Sequence, residues 1–176
     1  MTSAAAARPA PEEHPPYFSR YIDLVEGTDV VAALERELET TLALIAGISE
    51  ERSTYRYAPE KWSIREVIGH LADAERIFGY RALRIARGDT TPLSGFDENA
   101  FVPASAHHEV PIAELADELA HLRRSHVSMF RHLPASAWSN VGTSNGTPIT
   151  ARAIAFIMAG HDKHHRSILE TRYVAG

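Results

Sequence analysis

The sequence predicts an all-α fold, a bundle of four helices. Apolar residues recur at spacings of three and four along four segments of similar length, and each segment carries helix start or stop signals. No alternating apolar pattern of any length competes with them. The first helix is predicted from Val30 to about Ile48, where Val30, Val31, Leu34, Leu38, Leu42 and Ile45 trace one face. The second opens on Ser63-Ile64-Arg65-Glu66, a capping box whose hydroxyl and carboxylate satisfy amides of the first turn. It runs to about Arg87, stops at Gly88, and aligns Val67, Leu71, Ala74, Phe78 and Ile85. A long connection with Pro92, Gly95 and Pro103 follows, its length implying a crossover or part of a binding site. Pro111 suits the first turn of the third helix, whose stripe runs from Ile112 through Leu119 and Met129 to Leu133. After a second loop, with Gly142, Asn145-Gly146 and Pro148, Thr150 caps a fourth helix that turns Ile154, Ile157, Met158, Ile168 and Leu169 inward.

The chain has 176 residues, 44% of them hydrophobic and 23% charged, enough for one core and little more. Residues 1–16 are rich in Ala and Pro with few large apolar side chains, and are expected as a floppy, disordered arm before a single domain over residues 17–176. A net charge of -5 with scattered Lys and Arg argues against a nucleic-acid partner. No apolar run approaches the length of a membrane span and the N-terminus lacks signal-peptide features, so the expected compartment is the cytoplasm, with no membrane partner. Cysteine is absent, which removes disulfides, thiolate metal sites and a cysteine nucleophile together. Any metal must be held by His, Asp or Glu.

Ten histidines are many for this length. His161 and His165 are four apart on the fourth helix, so their imidazoles rise from one face on successive turns and can share an ion. Composition alone yields on the order of one such pair, but both lie within the apolar stripe, where burial demands a hydrogen-bond partner or a metal. Two further stripe histidines can complete a site: His70 at the edge of the second helix's stripe, and His126 near the centre of the third's, which periodicity alone favours. Each also has an ordinary reading as a hydrogen-bonded core residue. His164 falls roughly 75° from the stripe centre and His165 about 25°, so His165 points inward, although a spacing of three also chelates.

The run from Tyr55 to Leu71, Tyr-Arg-Tyr-Ala-Pro-Glu-Lys-Trp-Ser-Ile-Arg-Glu-Val-Ile-Gly-His-Leu, resembles the signature of the DinB-like (damage-inducible) family, and Ala159-Gly160-His161-Asp162-Lys163-His164-His165 resembles its closing motif. The similarity spans about residues 20 to 174. It departs at Glu60, where glycine is common, and at Arg166-Ser167, where a polar ending with Gln is more frequent. The resemblance implies that His70, His161 and His165 hold one divalent ion, zinc or nickel, and that His164 does not. It also implies an up-down-down-up bundle with a long connection between helices two and three, frequently a homodimer. Such relatives include transferases and isomerases that use bacillithiol or mycothiol, alongside many members with no known reaction.

Three neutral histidines leave an open position on a tetrahedral ion, the arrangement of catalytic rather than structural zinc. The expected function is a metal-dependent transferase in which a low-molecular-weight thiol attacks a small electrophile. The alternatives are a metal-dependent hydrolase, since His161-Asp162-Lys163-His164-His165 reads as H-D-x-x-H with Asp162 expected on the solvent side, and a non-catalytic metal or stress-response binding module. Three neighbours are candidates for orienting the ligands or touching substrate: Asp73, as an acceptor for His70; Arg81, three turns from His70 and paired with Asp97, Glu98 or an anionic substrate; and His126. Trp62 is expected to anchor the entry to the second helix.

Overall fold

A computed structural model describes residues 7–174. It contains α1 (Ser19–Ile22), α2 (Val30–Ala46), α3 (Ile64–Ala86), α4 (Glu98–Ala104), α5 (Ile112–Arg131), the strands β1 (Val141–Ser144) and β2 (Thr147–Thr150), and α6 (Ala151–Ile168), which continues as a π-helical turn over Leu169–Val174. The four long helices are those expected, within a few residues at each end. Their start signals act as anticipated. Ser63 Oγ accepts from the Glu66 amide while Glu66 Oε2 accepts from the Ser63 amide, and Thr150 Oγ1 accepts from the Ala153 amide.

Each long helix packs against two others: α2 and α3 both touch α5 and α6, which leaves the consecutive pairs α2/α3 and α5/α6 across the diagonals. The core residues give the directions. At one end Val30 and Leu34 of α2 cluster with Phe78 and Ile85 of α3, Val127 and Phe130 of α5, and Ile154 and Ile157 of α6. At the other, Ile45 meets Ile64, Ile112 and Leu169. The starts of α2 and α6 thus share an end with the finishes of α3 and α5, which makes the bundle up, down, down, up. Between the two clusters sits a middle layer of Leu38, Leu71, Leu119 and Ala120.

This arrangement surrounds α6. Every residue from Ala153 to Asp162 is buried, because α2, α3 and α1 all lean on it. Contact with α1 is close enough that a Cβ at Gly160 would stand 1.9 Å from the Tyr21 carbonyl oxygen, so only glycine admits this approach.

Three connections differ from expectation. The described part of the arm, residues 7–16, is tied down, with Pro9 and His14 buried and charged side chains anchoring it. Arg8 donates to the carbonyls of Ile22, at 2.8 Å, and Val25, and Glu13 accepts from Thr150 Oγ1 at 2.8 Å and Arg152 Nη2 at 2.9 Å. The remainder of the expected arm, residues 1–6, lies outside the described residues. The loop before α6 is an antiparallel hairpin with Val141 opposite Thr150, turning at Asn145-Gly146, where Asn145 takes φ 49° and Gly146 76°. The long connection carries α4. No helix among the described residues is long and apolar enough to cross a membrane.

Candidate metal centre

α3 and α6 are neighbours running in opposite directions, so His70, early on one, meets His161 and His165, late on the other. His161 Nε2 lies 3.2 Å from His70 Nε2 and 3.1 Å from His165 Nε2, and the three donor atoms all fall within 4.8 Å of one another. A neutral imidazole has one N–H, so these three facing nitrogens cannot all be satisfied by mutual hydrogen bonds. Nitrogens held tetrahedrally at about 2.0 to 2.1 Å from a zinc ion stand roughly 3.3 Å apart, close to the spacing found. Protonation state agrees: burial, reinforced by the charge His107 would carry, brings His70 down to about 4, and burial with the neighbouring imidazoles holds His161 and His165 well below the ordinary histidine value. All three therefore offer lone pairs at neutral pH. The donor set and its geometry fit a divalent transition-metal cation.

Aromatic rings fix the ligands in place. Trp62 lies against His70 with ring centroids 5.0 Å apart, and Tyr21 meets His161 edge-on at 5.3 Å. Trp62 thus both anchors the start of α3 and walls the site. The open side of the triad faces a cavity of about 580 Å³, within the range of small-molecule pockets. The segment from Pro15 to Tyr21 forms one wall, with Tyr17, Phe18 and Arg20. Phe78 and Arg81 of α3, Phe96 and Glu98 of the long connection, and Asn145 at the hairpin tip form another.

The other candidates are placed as follows. Arg81 lines the cavity and donates from Nη2 to the Ser94 carbonyl at 2.7 Å, in place of the expected Asp97 or Glu98. Asp73 does not reach His70; it stands 3.7 Å from Arg76 Nη1 and 3.9 Å from His107 Nε2. His126 is away from the triad as well, its Nδ1 2.8 Å from Glu75 Oε2. Asp162, expected toward solvent, is fully buried: it accepts from Thr41 Oγ1 at 2.5 Å and faces Arg123 Nη2 at 3.2 Å. The cause is the enclosure of α6 by α2 as well as α3, which buries the flank about 100° from His161 too.

Asp162 belongs to a buried ionic chain that single-residue reasoning did not assemble. Arg123 joins Asp162 to Glu75, with Nη2 2.6 Å from Glu75 Oε1, and Arg166 joins Thr41 to Glu37, with Nη2 2.6 Å from Glu37 Oε2. Burial alone raises the carboxyls; Arg123 and His126 more than offset this for Glu75, holding it below its ordinary value, whereas Asp162 stays raised. His164 was also missed as a cavity residue: it lines the pocket with its ring 5.4 Å from Tyr21, outside the donor set.

The profile of the DinB superfamily matches residues 33–169, which takes in all three histidines, α3, α5 and α6, and all but the first three residues of α2. The chain belongs to the DinB superfamily. Among solved structures, this DinB-superfamily chain is similar to YfiT from Bacillus subtilis, described as a probable metal-dependent hydrolase with an unusual four-helix bundle topology. The match has 19% identity and a TM-score of 0.62, covering 89% of this chain and 86% of that one. It is also similar to a mycothiol-dependent maleylpyruvate isomerase, at 12% identity and a TM-score of 0.66, over 78% of this chain and 58% of the other. At these identities the likeness is one of fold. No curated protein sequence matches.

Proposed function

We propose that this protein is a metal-dependent transferase that uses a low-molecular-weight thiol against a small electrophile. The observation that carries the reading is the three-imidazole set at the floor of a partly aromatic cavity, all three nitrogens aimed at one point and none of the cavity's side chains a thiol. His70, His161 and His165 would hold a divalent ion, and that ion would supply Lewis acidity to lower the pKa of a bound thiol or water. The protein's own groups do the remainder. Trp62 and Tyr21 hold the imidazoles, the Tyr17, Phe18 and Phe96 rings shed water from the bound molecules, and Arg20 and Arg81 favour anionic groups on them. The similarity in fold to a mycothiol-dependent isomerase supports the same reading.

A second reading, hydrolysis, is favoured by one observation: His164 lines the cavity with its ring centroid 5.1 Å from that of His165, and as a non-ligand imidazole it is available as a base. Asp162 does not serve in that role, since Thr41 and Arg123 engage it inside the bundle.

The test offers metal-loaded protein bacillithiol, mycothiol and glutathione with monochlorobimane. Metal-dependent conjugation with at least one thiol is expected; rates with all three equal to those of the metal-free control overturn the proposal. Metal-dependent turnover of an ester, amide or phosphoester, lost in His164→Ala, installs the hydrolytic reading instead. The homodimer carried by the family resemblance is likewise a proposal, checked by light scattering in solution.

A further inference from the structure

Arg81 is 6% exposed, and a buried guanidinium with five N–H donors ordinarily meets a carboxylate. Among the described residues it has no such partner: its hydrogen bond is the one donated to the Ser94 carbonyl, and Glu98, the carboxylate on the cavity wall, is not paired with it. The Phe78 and Phe96 rings flank the guanidinium, their centroids 5.9 and 5.8 Å from Cζ. Burial also lowers its pKa, as expected for a cation with no counter-charge at hand.

The carbonyl behind it is braced. The Leu93 amide donates to the Thr143 carbonyl and the Asn145 amide to the Leu93 carbonyl, both at 2.9 Å, so the β1–β2 hairpin clamps the backbone that presents Ser94. Asn145 adopts its left-handed φ at this junction and reaches over Gly95, where a Cβ would stand 2.4 Å from Asn145 Oδ1. The arrangement is a cation held from behind, walled by two rings, and open toward the same cavity that the triad faces.

We propose that Arg81 anchors the carboxylate of a small substrate with an apolar, aromatic or unsaturated body. A planar fork of donors suits a carboxylate's two oxygens, and the flanking rings suit the body attached to it. This rests on the reading of the triad's cavity as a substrate pocket, and it names the class of molecule that the pocket takes.

Benzoate and its uncharged isostere benzamide serve as probes, titrated by calorimetry into the full-length protein with and without zinc. Benzoate is expected to bind at least about tenfold more tightly than benzamide in both forms. Arg81→Met removes that preference, and Arg81→Lys, a point charge without the fork, restores part of it. Zinc stoichiometry and circular dichroism of each variant report that the bundle and triad are intact. Equal affinity of wild type for the two probes, no benzoate binding, or unchanged benzoate affinity in Arg81→Met overturns the proposal. So does a preference seen only with zinc and lost in His165→Ala but kept in Arg81→Met, which assigns the carboxylate to the ion. Absence of thiol-dependent turnover with Arg81-dependent benzoate binding preserved would refute the proposed reaction and leave this site standing.

Discussion

His164 and His165 share a peptide bond and are both partly buried, yet only the second aims its Nε2 at His161. His165→Ala and His70→Ala are therefore expected to lose stoichiometric metal, whereas His164→Ala keeps it with a near-wild-type melting temperature; elemental analysis of untagged protein and a thermal melt check both. Metal retained in His165→Ala and lost in His164→Ala would reverse the assignment. Much of this was legible at the level of single residues. Spacing alone paired His161 with His165, and the resemblance chose His70 where periodicity favoured His126. His126 satisfies the same rule of stripe position, but its partner is a buried Glu75 fifty-one residues away, and such a pairing leaves no mark on either residue's local sequence. Arg81 was recognisable as a charge needing a partner; that a backbone carbonyl would take that place depends on a hairpin far along the chain.

Among elements, α3 begins at the best-defined cap. Burial by itself would raise the Glu66 carboxyl, but the Ser63 amide and hydroxyl and the Arg56 guanidinium more than offset it, and the net value lies below the ordinary 4.5. A carboxyl lowered on folding contributes stability that is complete above its unfolded value and is lost as pH falls through the folded one. Glu66→Gln is accordingly expected to lose about 1 kcal/mol at pH 7, with the difference from wild type shrinking at pH 3, as read by urea melts at the two pH values. Gly160→Ala is expected to lose about 1 to 3 kcal/mol, because the added methyl meets backbone, not a yielding side chain, at the α1–α6 crossing. Wild-type stability in that variant would show that α1 shifts freely. The four long helices and their caps were readable because periodicity and end signals are local. β1 and β2 were not: at four residues each, the strands are too short to show alternation, and the Asn145-Gly146 turn was their one signal. The arm escaped because composition weighs apolar content, and Arg8 and Glu13 anchor it through charge.

For the molecule as a whole, the diagonal placement of consecutive helices puts one ionic chain across the middle of the bundle. Arg123 is its pivot, 1% exposed, hydrogen-bonded to Glu75 and the Leu34 carbonyl and ion-paired with Asp162. Arg123→Met is expected to destabilise the fold by about 3–5 kcal/mol, since it leaves two buried carboxyl groups without their cation. The combined change of Arg123→Met with Glu75→Gln and Asp162→Asn should recover a large part of that loss, and a denaturant series on both variants measures it. A triple variant no more stable than the single one would show that packing, not charge, is what Arg123 provides. The four long helices were evident from sequence, and their directions within the bundle came only with the family resemblance. The buried network has no such signature, because it joins α2, α3, α5 and α6 through residues that individually read as surface charge.

The hairpin clamp and the histidine triad sit on different parts of the scaffold. The three facing histidines ride on α3 and α6, rods whose positions the core dictates, while the Arg81 environment is set by a surface ribbon meeting a loop. Ribbon tips accept changes of length and residue that a packed helix rejects. A library confined to residues 94, 96 and 147, which leaves Gly95 and the Asn145-Gly146 turn in place, should therefore yield variants that differ in which molecules they admit while their melting temperature hardly moves, so that what the cavity accepts can change without cost to the bundle.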